Sequence, residues 1–291
     1  MVAKITLTEF PLMSLAFLRF ALAGLLIAPF LINEQQAEAK KQRITLPDFV
    51  KLLFAGLFLV SFHIALFYQG LMRTEAINAS VLSLIVPIFS VIAGWIIFKE
   101  KIYWINLVGS LTGLFGAFVV IGIPLLFLGT VSGTTLLGNI LMILSSVSFV
   151  TGAIMCKQIL KKYSTLTVTS TLFLVAVLSF LVPAAKEYFD NPNWVSHVSI
   201  LGLLGFAFIV MLSTVCAFFM YEWGIKKVGI AQAELFQYIQ PAVAATLAVP
   251  LLGERISFSF IIGTCLIILG VYWGTLGKSE HHHHSLKHHR S

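Results

Sequence analysis

The chain has 291 residues, 58% of them hydrophobic and only 11% charged, with a mean hydropathy of +0.96. Soluble chains carry about 25% charged residues, so this composition excludes a soluble globular protein and leaves no room for a separate soluble catalytic domain. The net charge of +7 comes from basic residues scattered through short connections, which reflects membrane topology rather than a nucleic-acid partner.

The apolar residues fall into nine blocks: 12–32, 49–69, 79–98, 105–126, 137–156, 166–183, 198–221, 230–252 and 258–276. Each is long enough to cross a hydrocarbon layer about 30 Å thick, and closed helices are the form this composition allows in lipid. The first block carries Arg19 near its middle, where a guanidinium needs a partner or water; structural pairing and substrate contact both remain open. The longest connection, 33–48, is polar and charged. The second block holds His63 and Tyr68. Imidazole titrates near neutral pH, so His63 is a candidate substrate contact or proton carrier, or else a buried histidine bonded to a neighbouring helix.

In the third block Ser80 and Ser83 precede Pro87, and the fourth carries the glycines Gly109, Gly113 and Gly116. Tyr221, Glu222 and Trp223 follow one another near the end of the seventh block, where aromatic anchoring at the interface accounts for Trp223. The eighth block opens on Glu234, followed by Gln237, Tyr238 and Pro241 on one helical face. Glu234 is either a cavity-lining carboxylate or an interfacial one paired with Lys226 or Lys227. Pro87 and Pro241 predict helix kinks. Gly263, Gly270 and Gly274 in the last block complete a set of small-residue seams suited to close helix contact. Cys156, Cys216 and Cys265 have neither metal-ligand nor disulfide spacing and read as small apolar filler. No metal site, cofactor or catalytic residue is expected.

A shift of 154 residues superposes rare landmarks without a gap. Pro29 falls on Pro183, Gly70 on Gly224, Pro87 on Pro241, Glu100 on Glu254, Gly109 on Gly263 and Gly116 on Gly270. That pattern reads as an internal duplication. An odd number of spans per copy makes the two copies insert in opposite directions. Inverted repeats of this kind mark secondary transporters, whose substrate site lies at the repeat interface. Connection charge sets the orientation. One side carries Lys40, Lys41, Arg43, Lys51, Lys99, Lys101, Lys157, Lys161, Lys162, Lys226, Lys227, Lys278, Lys287 and Arg290; the other carries Arg73, Lys186 and Arg255. The positive-inside rule then places the C-terminus in the cytoplasm.

The strings LAFLRFALAGLLIAP, ASVLSLIVPIF with FKEKI, AELFQYIQPAVAA, VPLLGERI and IIGTCLIILGVYWG resemble the drug/metabolite transporter superfamily in its ten-helix EamA type. The resemblance implies an all-α integral membrane fold, an inverted repeat of two five-helix units, with the first helix only partly present as MVAKITLTEF. It divides the chain into a first repeat over 1–125, a second over 137–276 and a His-rich cytoplasmic tail over 277–291.

The function expected is secondary transport: export or exchange of amino acids or related metabolites by alternating access. The alternatives are a multidrug or other metabolite efflux carrier of the same fold, or a non-transporting membrane scaffold. No HExxH, DxxxD or GxxxxGK[ST] pattern occurs in the spans, so an enzyme is not expected. The expected cavity residues are Glu234, Gln237, Tyr238, Ser80, Ser83, His63 and Tyr221. The expected partners are a small-molecule substrate and the lipid bilayer, with no nucleic acid and with a homodimer through the glycine-rich helices as a further contact. The plasma membrane is the expected location.

Overall fold

The computed structural model describes residues 2–38, 44–86, 88–89, 92–93, 96, 104–121, 132–228, 247, 249–250, 253 and 256–287. The regular elements among the described residues are all helical, as lipid demands of a chain this apolar. In order they are α1 (Val2–Thr6), α2 (Leu12–Glu38), α3 (Leu46–Leu71), α4 (Ala76–Ser83), α5 (Trp104–Ile121), α6 (Gly133–Ile159), α7 (Thr165–Asp190), α8 (Ile200–Lys227) and α9 (Phe258–Lys287). Leu12–Phe30 of α2, together with α3, α6, α7 and α8, is long and apolar enough to cross a membrane. The expected spans 79–98 and 230–252 lie mostly outside the described residues, and α9 continues beyond residue 276 to Lys287.

Short polar side chains start the helices. Thr45, Ser164 and Ser199 are the N-caps of α3, α7 and α8, accepting from the backbone N–H of Asp48, Thr167 and Gly202 respectively. Two helices change gauge midway: α3 contains a π turn at Leu57–Phe62, and α8 one at Met211–Cys216. These turns coincide residue for residue under the 154-residue shift. So do the first residues of α5 and α9, Trp104 and Phe258, and the in-helix prolines Pro29 and Pro183. A π turn is rare, so its recurrence at one register is the structural mark of the duplication.

The described chain divides into two compact units, one formed by residues 1–72 and 147–233, the other by 73–146 and 234–291. In the first unit α2 and α7 run antiparallel. Glu187 near the end of α7 caps the start of α2, accepting from Met13 N (3.0 Å), Ser14 N (2.7 Å) and Ser14 Oγ (2.9 Å). Further along, Phe20 packs against Phe173, Phe180 and Phe218, with ring centroids 5.5, 6.4 and 6.0 Å away.

Two contacts at opposite ends of this unit mirror each other. Glu9, just before α2, accepts from Ser199 N (2.6 Å) and Oγ (2.7 Å) at the start of α8. Tyr163, just before α7, accepts from Thr45 N (3.4 Å) at the start of α3 and donates to Asp48 Oδ2 (2.9 Å). The 154-residue shift turns Glu9 into Tyr163 and Thr45 into Ser199. Each copy thus caps the other, the reciprocity a pseudo-two-fold axis produces. Because α2 and α7 start at opposite ends, the copies are inverted.

The second unit repeats the lesson with glycine. A Cβ on Gly116 would come 2.8 Å from the Gly263 carbonyl and from Ile267 N; one on Gly270 would run into the Gly113 backbone and 2.6 Å from the Gly109 carbonyl. Helices α5 and α9 therefore meet backbone to backbone along the expected glycine seam, which is used within one copy of the chain. Gly270→Ala should lower the unfolding midpoint in detergent, at a cost of about 1–3 kcal/mol for overpacking. Gly24→Ala, where nothing lies within 4 Å of the added carbon, should leave it unchanged.

Candidate functional site

Arg19 is two turns into α2 and 4% exposed. Its Nη1 donates to Tyr68 Oη (2.6 Å), its Nε to Thr214 Oγ1 (2.9 Å) and its Nη2 to the Ser213 carbonyl (3.4 Å). The guanidinium carbon also stands 4.9 Å from the Phe20 ring centre and 5.8 Å from that of Tyr68. All these partners are neutral, and no carboxylate among the described residues pairs with this buried cation. Five guanidinium N–H groups exist. Three are used by the described residues, which leaves one N–H on each terminal nitrogen without a partner among them; guanidinium N–H groups are the donors that bind carboxylates most strongly.

The π turns make this geometry possible. A widened turn breaks the regular i to i−4 ladder and redirects carbonyls sideways. In α8, Thr214 Oγ1 donates to the Ile209 carbonyl five residues back (2.7 Å) while accepting from Arg19, and the Ser213 carbonyl faces the same guanidinium. In α3 the Phe58 carbonyl accepts from Ser148 Oγ (2.7 Å), and Ser61 Oγ donates to Ser179 Oγ (2.9 Å). Each π turn of the first unit therefore meets a polar group from the second helix of the other copy: Arg19 of α2 for one, Ser179 of α7 for the other.

The residues expected from the sequence fare unequally. Glu234, Gln237, Tyr238, Pro87 and Pro241 lie outside the described residues. His63 follows the α3 π turn at once, and its ring lies 4.9 Å from Phe149, which in turn lies 5.1 Å from Tyr221. The first unit thus brings His63 and Tyr221 into contact with one phenyl ring. Ser83 donates to its own helix at the Ala79 carbonyl (3.0 Å), and Ser80 neighbours it on α4 in the second unit.

Glu222 was not among the expected cavity residues. Trp223 is 52% exposed, as an anchor should be, but Glu222 is 0% exposed and neither carboxylate oxygen has a hydrogen-bond partner among the described residues. The signal was in the repeat: Glu222 falls on Tyr68 under the 154-residue shift, on the face that packs inward in both copies.

An all-helical membrane protein built from two inverted copies, with a charged group buried at mid-span, has the architecture of a transporter. The comparisons agree. The EamA-like transporter family matches residues 1–122 and 136–275, and the chain belongs to that family. It is 28% identical to the uncharacterized transporter YetK of Bacillus subtilis over 287 residues, covering 96% of this chain and 83% of that one. An uncharacterized transporter of Clostridium kluyveri is 24% identical over 254 residues, covering 86% of this chain and 79% of that one. A solved crystal structure shares the fold, with a TM-score of 0.62 at 16% identity over 94% of this chain and 90% of that one.

The Arg19 network has a thermodynamic signature. Thr214→Val strands a buried guanidinium donor and should cost about 1–3 kcal/mol of stability. Arg19→Met replaces the charge with an apolar side chain of similar length and should cost less than Thr214→Val. Equilibrium unfolding in mixed micelles ranks the two variants.

Proposed function

We propose that the protein is a secondary carrier that exports or exchanges small organic solutes bearing a carboxylate, amino acids and related metabolites first among them. It acts as a carrier and not as an enzyme. The observation that supports this most is Arg19: a guanidinium buried at mid-span, held by hydroxyls and a carbonyl, with one uncommitted N–H on each terminal nitrogen. A solute carboxylate would supply the missing negative charge. Mid-span ionisable groups in membrane proteins mark solute pathways for this energetic reason.

Alternating access follows from the inverted copies. Two packings related by a pseudo-two-fold axis exchange roles when one copy rocks against the other, and the site opens to each side in turn. The π turns of α3 and α8 are the places where these helices bend most easily. Glu234, Gln237 and Tyr238, with Ser80, Ser83, His63 and Tyr221, are proposed to line the solute path. Lys51, Lys157, Lys161, Lys162, Lys226 and Lys227 lie toward the end of the first unit where α3 and α7 begin and α8 ends, which supports a cytoplasmic face there. The plasma membrane and a cytoplasmic C-terminus complete the reading.

Counterflow of radiolabelled L-amino acids in vesicles containing the full chain tests the proposal. Arg19→Met should reduce it about tenfold or more, the loss of one bond to a charged group. Glu234→Gln and Gln237→Ala should weaken it by a similar factor. Wild-type rates in Arg19→Met, or transport confined to solutes without a carboxylate, would show that the guanidinium is structural. A reporter fused after Lys278 should be active only inside the cell.

A further inference from the structure

Glu222 takes no part in the network around Arg19. Arg19's partner Thr214 lies on the same helix as Glu222, eight residues before it, about 12 Å along the axis. Between them stand Phe20, Phe173 and Phe218, whose rings are in mutual contact. Helices α7 and α8 are antiparallel, with Phe173 against Phe218, at 5.7 Å between ring centres. One further turn on each brings Thr169 level with Glu222. Thr169 is also fully buried, and its hydroxyl, like the Glu222 carboxyl, has no hydrogen-bond partner among the described residues. Buried polar atoms are nearly always bonded, so two orphaned groups on facing helices need an explanation beyond packing.

The surrounding charges are committed elsewhere. Cys156 of α6, fully buried, is the ionisable side chain near enough to feel the Glu222 charge. Lys226, one turn further along α8, donates to the Tyr163 carbonyl (3.3 Å). Lys162 and Tyr163 are both held by Asp48, at 3.0 Å and 2.9 Å. Arg19 is held by Tyr68 and Thr214. Lys157 has interactions of its own, and Lys227 is exposed. An ionised carboxylate sealed among neutral neighbours is strongly disfavoured, whereas the protonated acid is neutral and fits the same space.

We propose that Glu222 is the coupling site of the carrier, binding one proton in the closed conformation described here and releasing it when the lysine-bearing end of the first unit opens. The reaction is the bare equilibrium of carboxylate plus proton with carboxylic acid; the proton arrives from water on one side and leaves to water on the other. Glu222 is five residues from the end of α8, about 7.5 Å by helical rise, so a modest separation of α7 from α8 admits water to it. Once wet, the carboxylate faces the field of Lys226, Lys227, Lys161 and Lys162, which favours the anion. The aromatic cluster keeps that water from the Arg19 site. The proton and solute sites are thereby separate and are occupied in turn.

This inference rests on the carrier reading above, and the experiment separates the two. The first measurement is the infrared carbonyl stretch of a protonated carboxyl in the purified full chain, read across pH. The wild type should show one such signal, absent in Glu222→Gln and displaced in Glu222→Asp. The second is uptake of radiolabelled L-amino acids into vesicles under an imposed pH gradient. At one proton per solute, a gradient of one unit is worth about tenfold in accumulation. Glu222→Gln should lose that accumulation while counterflow persists. Accumulation in Glu222→Gln equal to wild type, or a wild-type chain with no Glu222-dependent carboxyl signal at any pH, would overturn the proposal. If the wild type moves no amino acid, the solute reading fails, and the infrared signal alone decides the proton site.

Discussion

A guanidinium at the centre of a membrane span is the constraint around which the first unit is arranged. Lipid offers no water, so every N–H that Arg19 presents must meet protein or solute. Three helices answer it: α2 carries the charge, α3 brings the Tyr68 hydroxyl, and α8 brings Thr214 and the Ser213 carbonyl. A regular α-helix keeps its carbonyls in its own ladder and could not offer the last of these so readily. The π turn in α8 is what turns that oxygen outward, and the equivalent turn in α3 gives the Phe58 carbonyl to Ser148. Polar satisfaction and helix irregularity are therefore one feature.

The duplication explains why the irregularity occurs twice and why the chemistry occurs once. Under the 154-residue shift the π turns, the N-caps Thr45 and Ser199, and the capping residues Glu9 and Tyr163 all correspond. Scaffold positions are thus shared. The buried polar positions have diverged: Arg19 corresponds to Phe173, and Tyr68 to Glu222. In the first copy the inward hydroxyl of Tyr68 meets a cation. In the second copy the position of the cation is taken by Phe173, and the inward carboxylate of Glu222 has no hydrogen-bond partner among the described residues. A symmetric frame thus carries asymmetric polar groups at equivalent positions.

Some features were legible because they depend on local pattern. Apolar block length predicted α2, α3, α6, α7 and α8, and the glycine spacing predicted the α5–α9 seam, since a missing Cβ is itself the condition for backbone contact. The duplication was legible because prolines and glycines keep their register when the chain between them drifts. His63 and Tyr221 stood out as polar side chains within apolar blocks, whereas their common contact with Phe149 depends on α6 and was invisible. The burial of Glu222 was not legible for a definite reason. Its neighbour Trp223 anchors at the surface, and adjacent helical residues point about 100° apart, so one can be exposed while the other is sealed.

By itself, then, the sequence determined the solvent, the helical class, the two-copy architecture and the side on which positive charge collects. These follow from composition and period, which act through transfer free energies and need no partner. Tertiary structure alone decided which polar side chains share a site. Whether Arg19 is paired or available, whether Glu222 is wet or sealed, and whether Thr169 has a partner depend on which helix faces lie together. That is a property of packing between segments more than a hundred residues apart along the chain, and in lipid it is enforced by the cost of leaving any polar group without an answer.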